Sequence, residues 1–408
     1  MRRACRSMIL CIALMSVLSP MALAQLPAPR EFCEEPFTIS TVQLSPPGMN
    51  FPLDTEFDQV GFRVMWSRNN NVTVQALDPA TGRPVGAFKV IDTGIAHTWP
   101  VLGLPLLGNG PEWGYSRRGS ELYYMKPYGA LGRNRVLWKA RETSPGVWSC
   151  AALPEGVTKG LPWPSKNAAD PVPRILYGRS PTGVQTGVPY DVAVRSVPED
   201  PSTERVIPVP VLAEQGGPRW IPGGRRVIFS TLDTAGVQQV AIYDVDAGTI
   251  EQVTHHTAED DVHMDETWTS EYPELGGAHI VWFVVNGTEL RVLQKDGDSW
   301  VEANRVNPSL VLGKPEKPYI VSPEPLIYRG KPYIVFQLSA TYSNVGQPSD
   351  IYLMQPQSSS ACHFRLVTPD DNRARRGPEF LQLLDKLALY YIEIDGGTYT
   401  IHQAESGL

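Results

Sequence analysis

The densest run of side chains able to bind or transform a ligand is "THHTAEDDVHMDETW", Thr254 to Trp268, which holds His255, His256, His263, Asp260, Asp261, Asp265 and Glu266. Imidazole and carboxylate together suit a divalent transition metal, or Ca²⁺ where carboxylates dominate. The spacing matches no defined metal motif, so a solvated acidic loop is the plainer reading of the same residues. Two other tracts stand at a comparable place before a strand: "DTGIAHTWP" with His97, and "TPDDNRARRGPEF" with Asp370, Asp371 and Arg373. Were a repeat to bring these loops together, His97, His255, His263 and Asp265 would be the candidate ligands of a divalent metal ion. Glu266 would then be a base for metal-assisted hydrolysis or elimination on a carbohydrate. Trp99, Trp113, Trp163 and Trp268 lie near the same places and could stack on sugar rings, although core packing explains them more simply.

No motif of covalent or phosphate chemistry accompanies these residues. The chain has no G-x-S-x-G elbow, no H-E-x-x-H, no C-x-x-C and no phosphate-cradling glycine loop followed by Lys and Ser or Thr. It also lacks repeated S-x-D-x-G-x-T-W turns. These absences favour a binding scaffold over an enzyme, with no cofactor implied beyond the metal ion.

The elements that must position these loops form a repeat. Its clearest copy is "GPRWIPGGRRVIFSTLDTAGVQQVAIYDVDAGTIEQVT", Gly217 to Thr254, which opens on a Pro and an aromatic and turns at Gly223 and Gly224. Strands follow at Arg226 to Ser230 and Gln239 to Asp244, then a turn ending in Gly248 and a strand closing on Val253 and Thr254. That order is an antiparallel meander, with turn residues where the chain reverses. Copies begin near Gly110, Glu271, Ser322 and Gly377, and weaker ones near Gly61 and Pro171. Seven units spaced by roughly 50 residues are expected of propeller blades. The fold class is therefore all-β: a single β-propeller of four-stranded antiparallel blades, seven favoured, with six and eight kept open. Its last unit ends at "TYTIHQAESGL" without an outer strand, while "PFTISTVQL", Pro36 to Leu44, is a β-rich run with no blade of its own. Pairing the two closes the ring and removes an exposed edge.

The unit from Pro218 to Thr254 resembles the TolB-type (WD40-like) propeller repeat, with Pro218, Trp220, Gly223, Gly224, Val227, Phe229, Tyr243, Asp244, Asp246, Gly248 and Thr254 in the family's places. The copies near Pro111, Pro325 and Pro378 match in part, and the resemblance covers most of residues 60 to 408. It implies an architecture rather than an activity. Gly223 stands where the family usually has Asp in the first turn, and no α/β domain precedes the propeller as in the Tol system component itself, so the likeness is to the repeat.

Both ends bear on location. Arg2, Arg3 and Arg6 precede an apolar run from Met8 to Leu18 and small residues at Ala22 and Ala24, the three-part pattern of a secretory signal peptide cut after Ala24. The run is shorter than a spanning helix needs and Pro20 interrupts it. The domain plan is a signal peptide at 1–24, an N-terminal segment at 25–60 carrying the closing strand, and a propeller at 61–408, in the periplasm or secreted. Losing three arginines takes the formal charge from −7 to −10. An acidic chain with one basic tract, "RARR" at Arg373 to Arg376, is a poor nucleic-acid partner and shows no stable membrane insertion. The expected partner is a protein, or an envelope or carbohydrate ligand, on the loop face. Cys33, Cys150 and Cys362 remain after cleavage, so at most one intrachain disulfide forms. Cys33 belongs to the blade completed by the N-terminus and Cys362 to its neighbour, which favours that pair with Cys150 free; three unpaired thiols are the alternative.

Overall fold

The computed structural model describes residues 28–45, 53–68, 71–95, 111–128, 134–158, 162–179, 189–212, 217–272, 278–342, 347–396 and 398–408. Seven four-stranded antiparallel sheets follow one another around an axis. From inner to outer strand, blade 1 is Leu53–Asp58, Arg63–Arg68, Asn71–Leu77 and Pro84–Thr93. Blade 2 is Glu112–Ser116, Gly119–Tyr128, Asn134–Ser144 and Val147–Thr158, and blade 3 is Pro162–Pro164, Ile175–Gly178, Val192–Arg195 and Glu204–Val206. Blade 4 is Arg219–Trp220, Arg226–Leu232, Gln238–Asp244 and Thr249–Gln252; blade 5 is Met264–Tyr272, Ala278–Val285, Glu289–Asp296 and Ser299–Val306. Blade 6 is Tyr319–Tyr328, Lys331–Ser339, Ser349–Met354 and Phe364–Leu366. Blade 7 combines Ala374–Gln382, Leu387–Asp395 and Thr398–Glu405 with Thr41–Gln43 from the other end of the chain.

The second strand of most blades is buried on both faces and reads largely as an apolar run, such as Val227 to Phe229 or Ile280 to Val285. Side chains alternate between the blade before and the blade after, so each seam builds its own apolar cluster. Blades 1 and 2 share one around Met65, Trp113 and Leu122; blades 5 and 6 share another around Trp282, Val284 and Phe336. Inner strands approach closely enough that some positions exclude a side chain. A Cβ on Gly217, whose φ is +57°, would stand 2.6 Å from Cζ2 of Trp163.

Blade 1 takes in Leu53–Asp58, upstream of the Gly61 start read from the repeat, because its inner strand carries the polar sequence "LDTEFD" and gives no apolar period. Blade 3 makes a weak copy for a related reason: its inner strand is three residues long, and Pro189–Tyr190 leaves the blade to pair with Val211–Leu212. Among the described residues no helix is long and apolar enough to cross a membrane.

The N-terminal strand pairs antiparallel with the last strand, Thr41 opposite Ala404 and Gln43 opposite His402. Beyond the ladder, the Leu44 amide donates to the Ile401 carbonyl at 2.8 Å and the Ile401 amide to Ser45 Oγ at 3.0 Å. Cys33 and Cys362 form a disulfide with their Cα atoms 4.9 Å apart, and Cys150 is a half-buried free thiol whose pKa burial pushes up. Arg365 holds both chain ends at once. Its guanidinium donates to the carbonyls of Ser406 and Gly407 at 3.0 and 2.9 Å and to Glu35 at 2.6 Å, between the rings of Phe32 and Phe37. Replacing a buried, fully bonded guanidinium strands every acceptor it served. Arg365→Ala is expected to cost about 2–4 kcal/mol in urea unfolding; a loss under about 0.5 kcal/mol, as for an exposed ion pair, would refute this role.

Candidate functional site

The histidine-rich tract joins the outer strand of blade 4 to the inner strand of blade 5, as the repeat requires. Its described side chains do not gather. His255 is exposed, its Nδ1 3.3 Å from the Gln252 amide, and His263 is 78% exposed, 3.6 Å from an Asp261 carboxylate that is itself 92% exposed. His256 is half-buried with its ring edge toward Phe283; burial, and then the nearby Arg291, hold its pKa below the ordinary histidine value. Asp260 accepts from the amide and hydroxyl of Thr257, which makes it a turn residue. Asp370 pairs with Lys314 at 2.9 Å, and Asp371 with Arg375 at 2.7 Å. Asp265 and Glu266 lie on the inner strand of blade 5, where the backbone alone is described; His97 and Trp99 fall outside the described residues. Among the described residues, no three His, Cys, Asp or Glu side chains are placed to hold a metal ion.

Chemistry converges instead on the axis. One position recurs on all seven inner strands, fixed by its partner on the second strand: Glu56 opposite Met65, Glu112 opposite Tyr123, Trp163 opposite Leu176 and Arg219 opposite Ile228. The series continues with Glu266 opposite Val284, Glu324 opposite Val335 and Glu379 opposite Tyr390. Each of those partners faces the following blade, as their membership in successive seam clusters shows. The position is therefore one structural site repeated seven times.

Backbone irregularity aims it. The register shifts immediately before Glu56, Glu266, Glu324 and Glu379, and such bulges turn a side chain out of the regular pleat. In five strands the preceding residue is proline: Pro111, Pro162, Pro218, Pro323 and Pro378. Proline has no amide hydrogen to donate and settles at strand starts and bulges, where none is needed.

Contacts between distant blades place these groups around the channel. Lys166, just past the inner strand of blade 3, has its Nζ 3.9 Å from Glu56 of blade 1, a reach across the axis. Its backbone bridges to Tyr115 of blade 2, and its side chain is 49% exposed, as expected of a residue in an open channel. Burial alone would lower the Lys166 pKa, but Glu56, Glu112 and Glu379 outweigh it and hold the ammonium charged. Glu379 shows the opposite result. Burial raises its carboxyl pKa well above the usual range, Glu56, Glu324 and Glu112 raise it further, and Lys166 only partly opposes them. Carboxyl groups from blades 1, 2 and 7 thus share one lysine, Glu324 of blade 6 acts on Glu379, and Arg219 of blade 4 stands at the same level beside Tyr190.

Histidine density does not mark these residues. The signal lies in the repeat, in the residue after each proline: Pro-Glu-Trp, Pro-Arg-Trp, Pro-Glu-Pro and Pro-Glu-Phe at 111, 218, 323 and 378.

No family model and no curated protein sequence matches the chain. Solved structures are similar in fold. The propeller domain of the Trilobed protease from Pyrococcus furiosus, described as having an open velcro topology, aligns at TM-score 0.50 and 11% identity over 88% of this chain and 96% of that one. TolB from Acinetobacter baumannii aligns at TM-score 0.36 and 12% identity over 86% and 78%. A Trypanosoma rangeli sialidase aligns at TM-score 0.39 and 12% identity over 90% of this chain and 58% of that one, so the chain spans less than two thirds of the sialidase's length. Such identities establish a β-propeller and leave activity open.

The ring makes stability depend on pH. A carboxyl whose folded pKa is raised contributes no penalty below its unfolded value and a growing one as pH climbs toward the folded value, because the unfolded chain ionises first. Glu379→Gln is therefore expected to raise Tm by about 2 °C at pH 8 and to give no gain at pH 4. Equal shifts at both pH values in thermal melts would contradict the charge account.

Proposed function

We propose that this protein is an exported binding propeller whose axial channel receives a positively charged group of its ligand, a basic protein side chain or an amine-bearing envelope component. The observation that carries the reading is the gathering of Glu56, Glu112 and Glu379 about Lys166, 3.9 Å from Glu56, with Glu324 acting on Glu379. Every carboxyl there raises the cost of ionising the next, and an incoming cation relieves that repulsion at several blades together. Exposed rim charges give little affinity, whereas a cation held inside a channel meets a weaker dielectric and a stronger field. The signal-peptide pattern supports an exported mature chain, beginning at Gln25, which would meet such envelope ligands.

A fluorescent lysine-rich peptide, titrated against residues 25–408 and followed by anisotropy, is the test. Binding is expected to weaken by about tenfold or more in the Glu56→Gln, Glu379→Gln double variant, about 1.4 kcal/mol or more, and to weaken with salt. Equal affinity in both proteins, or equal binding of a neutral peptide, would sink the reading.

One observation favours a second reading, carbohydrate hydrolysis without a metal. Burial and the neighbouring carboxyl groups push the Glu379 pKa up, and an acid of raised pKa beside a carboxylate is the division of labour that glycoside hydrolysis uses. Turnover in a polysaccharide screen that falls by about 10²-fold or more in Glu379→Gln would establish it; no turnover with any substrate would leave the binding reading alone.

A further inference from the structure

We propose that the N-terminal segment is a redox-controlled strap that holds shut the seam between blades 6 and 7, and that reducing Cys33–Cys362 lets this seam open while the other seams stay closed. Two independent features meet at that seam.

The first is a polar interior. Gln337 of blade 6 is wholly buried, and neither its amide oxygen nor its nitrogen has a hydrogen-bond partner. It lies on the same side of its strand as Tyr333 and Val335, which pack against Leu387, Leu389 and Tyr391 of blade 7. Across the seam Arg375, also wholly buried, pairs with Glu393 and donates to the Ser349 carbonyl of blade 6. An apolar seam loses by admitting water. Here an unmatched amide and a buried ion pair both regain hydrogen bonds when water enters, so opening costs less than at a seam such as that between blades 3 and 4, built from Leu176, Val194, Val227 and Phe229.

The second is the strap across the outside of that seam. On blade 6, the amide and carbonyl of Arg30 bond the Gln355 side chain at 2.8 and 2.7 Å, Glu31 reaches His363 at 2.9 Å, Phe32 is buried in the seam cluster, and Cys33 is bonded to Cys362. From Thr41, eight residues after Cys33, the same segment is the outer strand of blade 7. The disulfide is its one covalent tie to blade 6 among the described residues. A dithiol reductant supplies two electrons and two protons, the S–S bond breaks to two thiols, and the reductant closes to its own disulfide. The strap then stays by hydrogen bonds and ion pairs alone and can lift locally, without global unfolding.

The experiment places a reporter thiol in each of two seams, in a Cys150→Ser background. Val335→Cys reports on blades 6 and 7, and Val227→Cys on blades 3 and 4; both positions are wholly buried. Labelling by N-ethylmaleimide, mapped by peptide mass, is compared with the disulfide intact and after Cys33→Ser, Cys362→Ser. Without the disulfide, labelling at Val335→Cys is expected to rise by about tenfold or more and that at Val227→Cys to stay within about twofold, the pattern of local opening. Adding Gln337→Leu is expected to slow the Val335→Cys labelling again. Unchanged labelling at Val335→Cys, or a parallel rise at both reporters, would overturn the proposal; indifference to Gln337→Leu would overturn seam polarity as its cause.

Discussion

Seven strands meet on one axis, and everything chemical about this protein follows from that crowding. A side chain on an ordinary sheet answers to its own few neighbours, but one at the inner-strand position answers to six symmetry-like counterparts. Four glutamates there cannot all ionise freely, which is why burial and like charge push the Glu379 pKa up while the same carboxylates favour the charged form of Lys166. Neither residue would be unusual in an isolated blade.

The ring exists only if the circle closes, and closure rests on a short piece of chain. Three residues, Thr41–Gln43, complete blade 7 and remove its open edge. Arg365 binds the approach to that strand and the chain's last carbonyls in one guanidinium, so both ends are fixed to blade 6 rather than to each other alone.

How much was legible in the sequence varied with how local the signal was. The second and third strands of most blades are apolar runs bounded by Gly and Asp turns, and they appear where the repeat puts them; Arg226–Leu232 and Gln238–Asp244 are examples. Inner strands were harder. Leu53–Asp58 is polar and Arg219–Trp220 is two residues long, so neither has a period to detect. The histidine tract drew attention through composition, yet His255 and His263 stand exposed, each beside a side chain of its own loop.

By itself the sequence determined the all-β class, the propeller repeat with seven blades favoured over six or eight, and the strand that closes it, because turn residues and apolar runs act over a few residues and survive in one dimension. Only the tertiary structure decided which polar residues matter. Glu56 and Glu379 are separated by more than three hundred positions, and the 3.9 Å between Glu56 and Lys166 spans two blades. Electrostatic coupling falls with distance in space and is blind to distance along the chain, so the charged ring came into view only when the blades were brought around their axis.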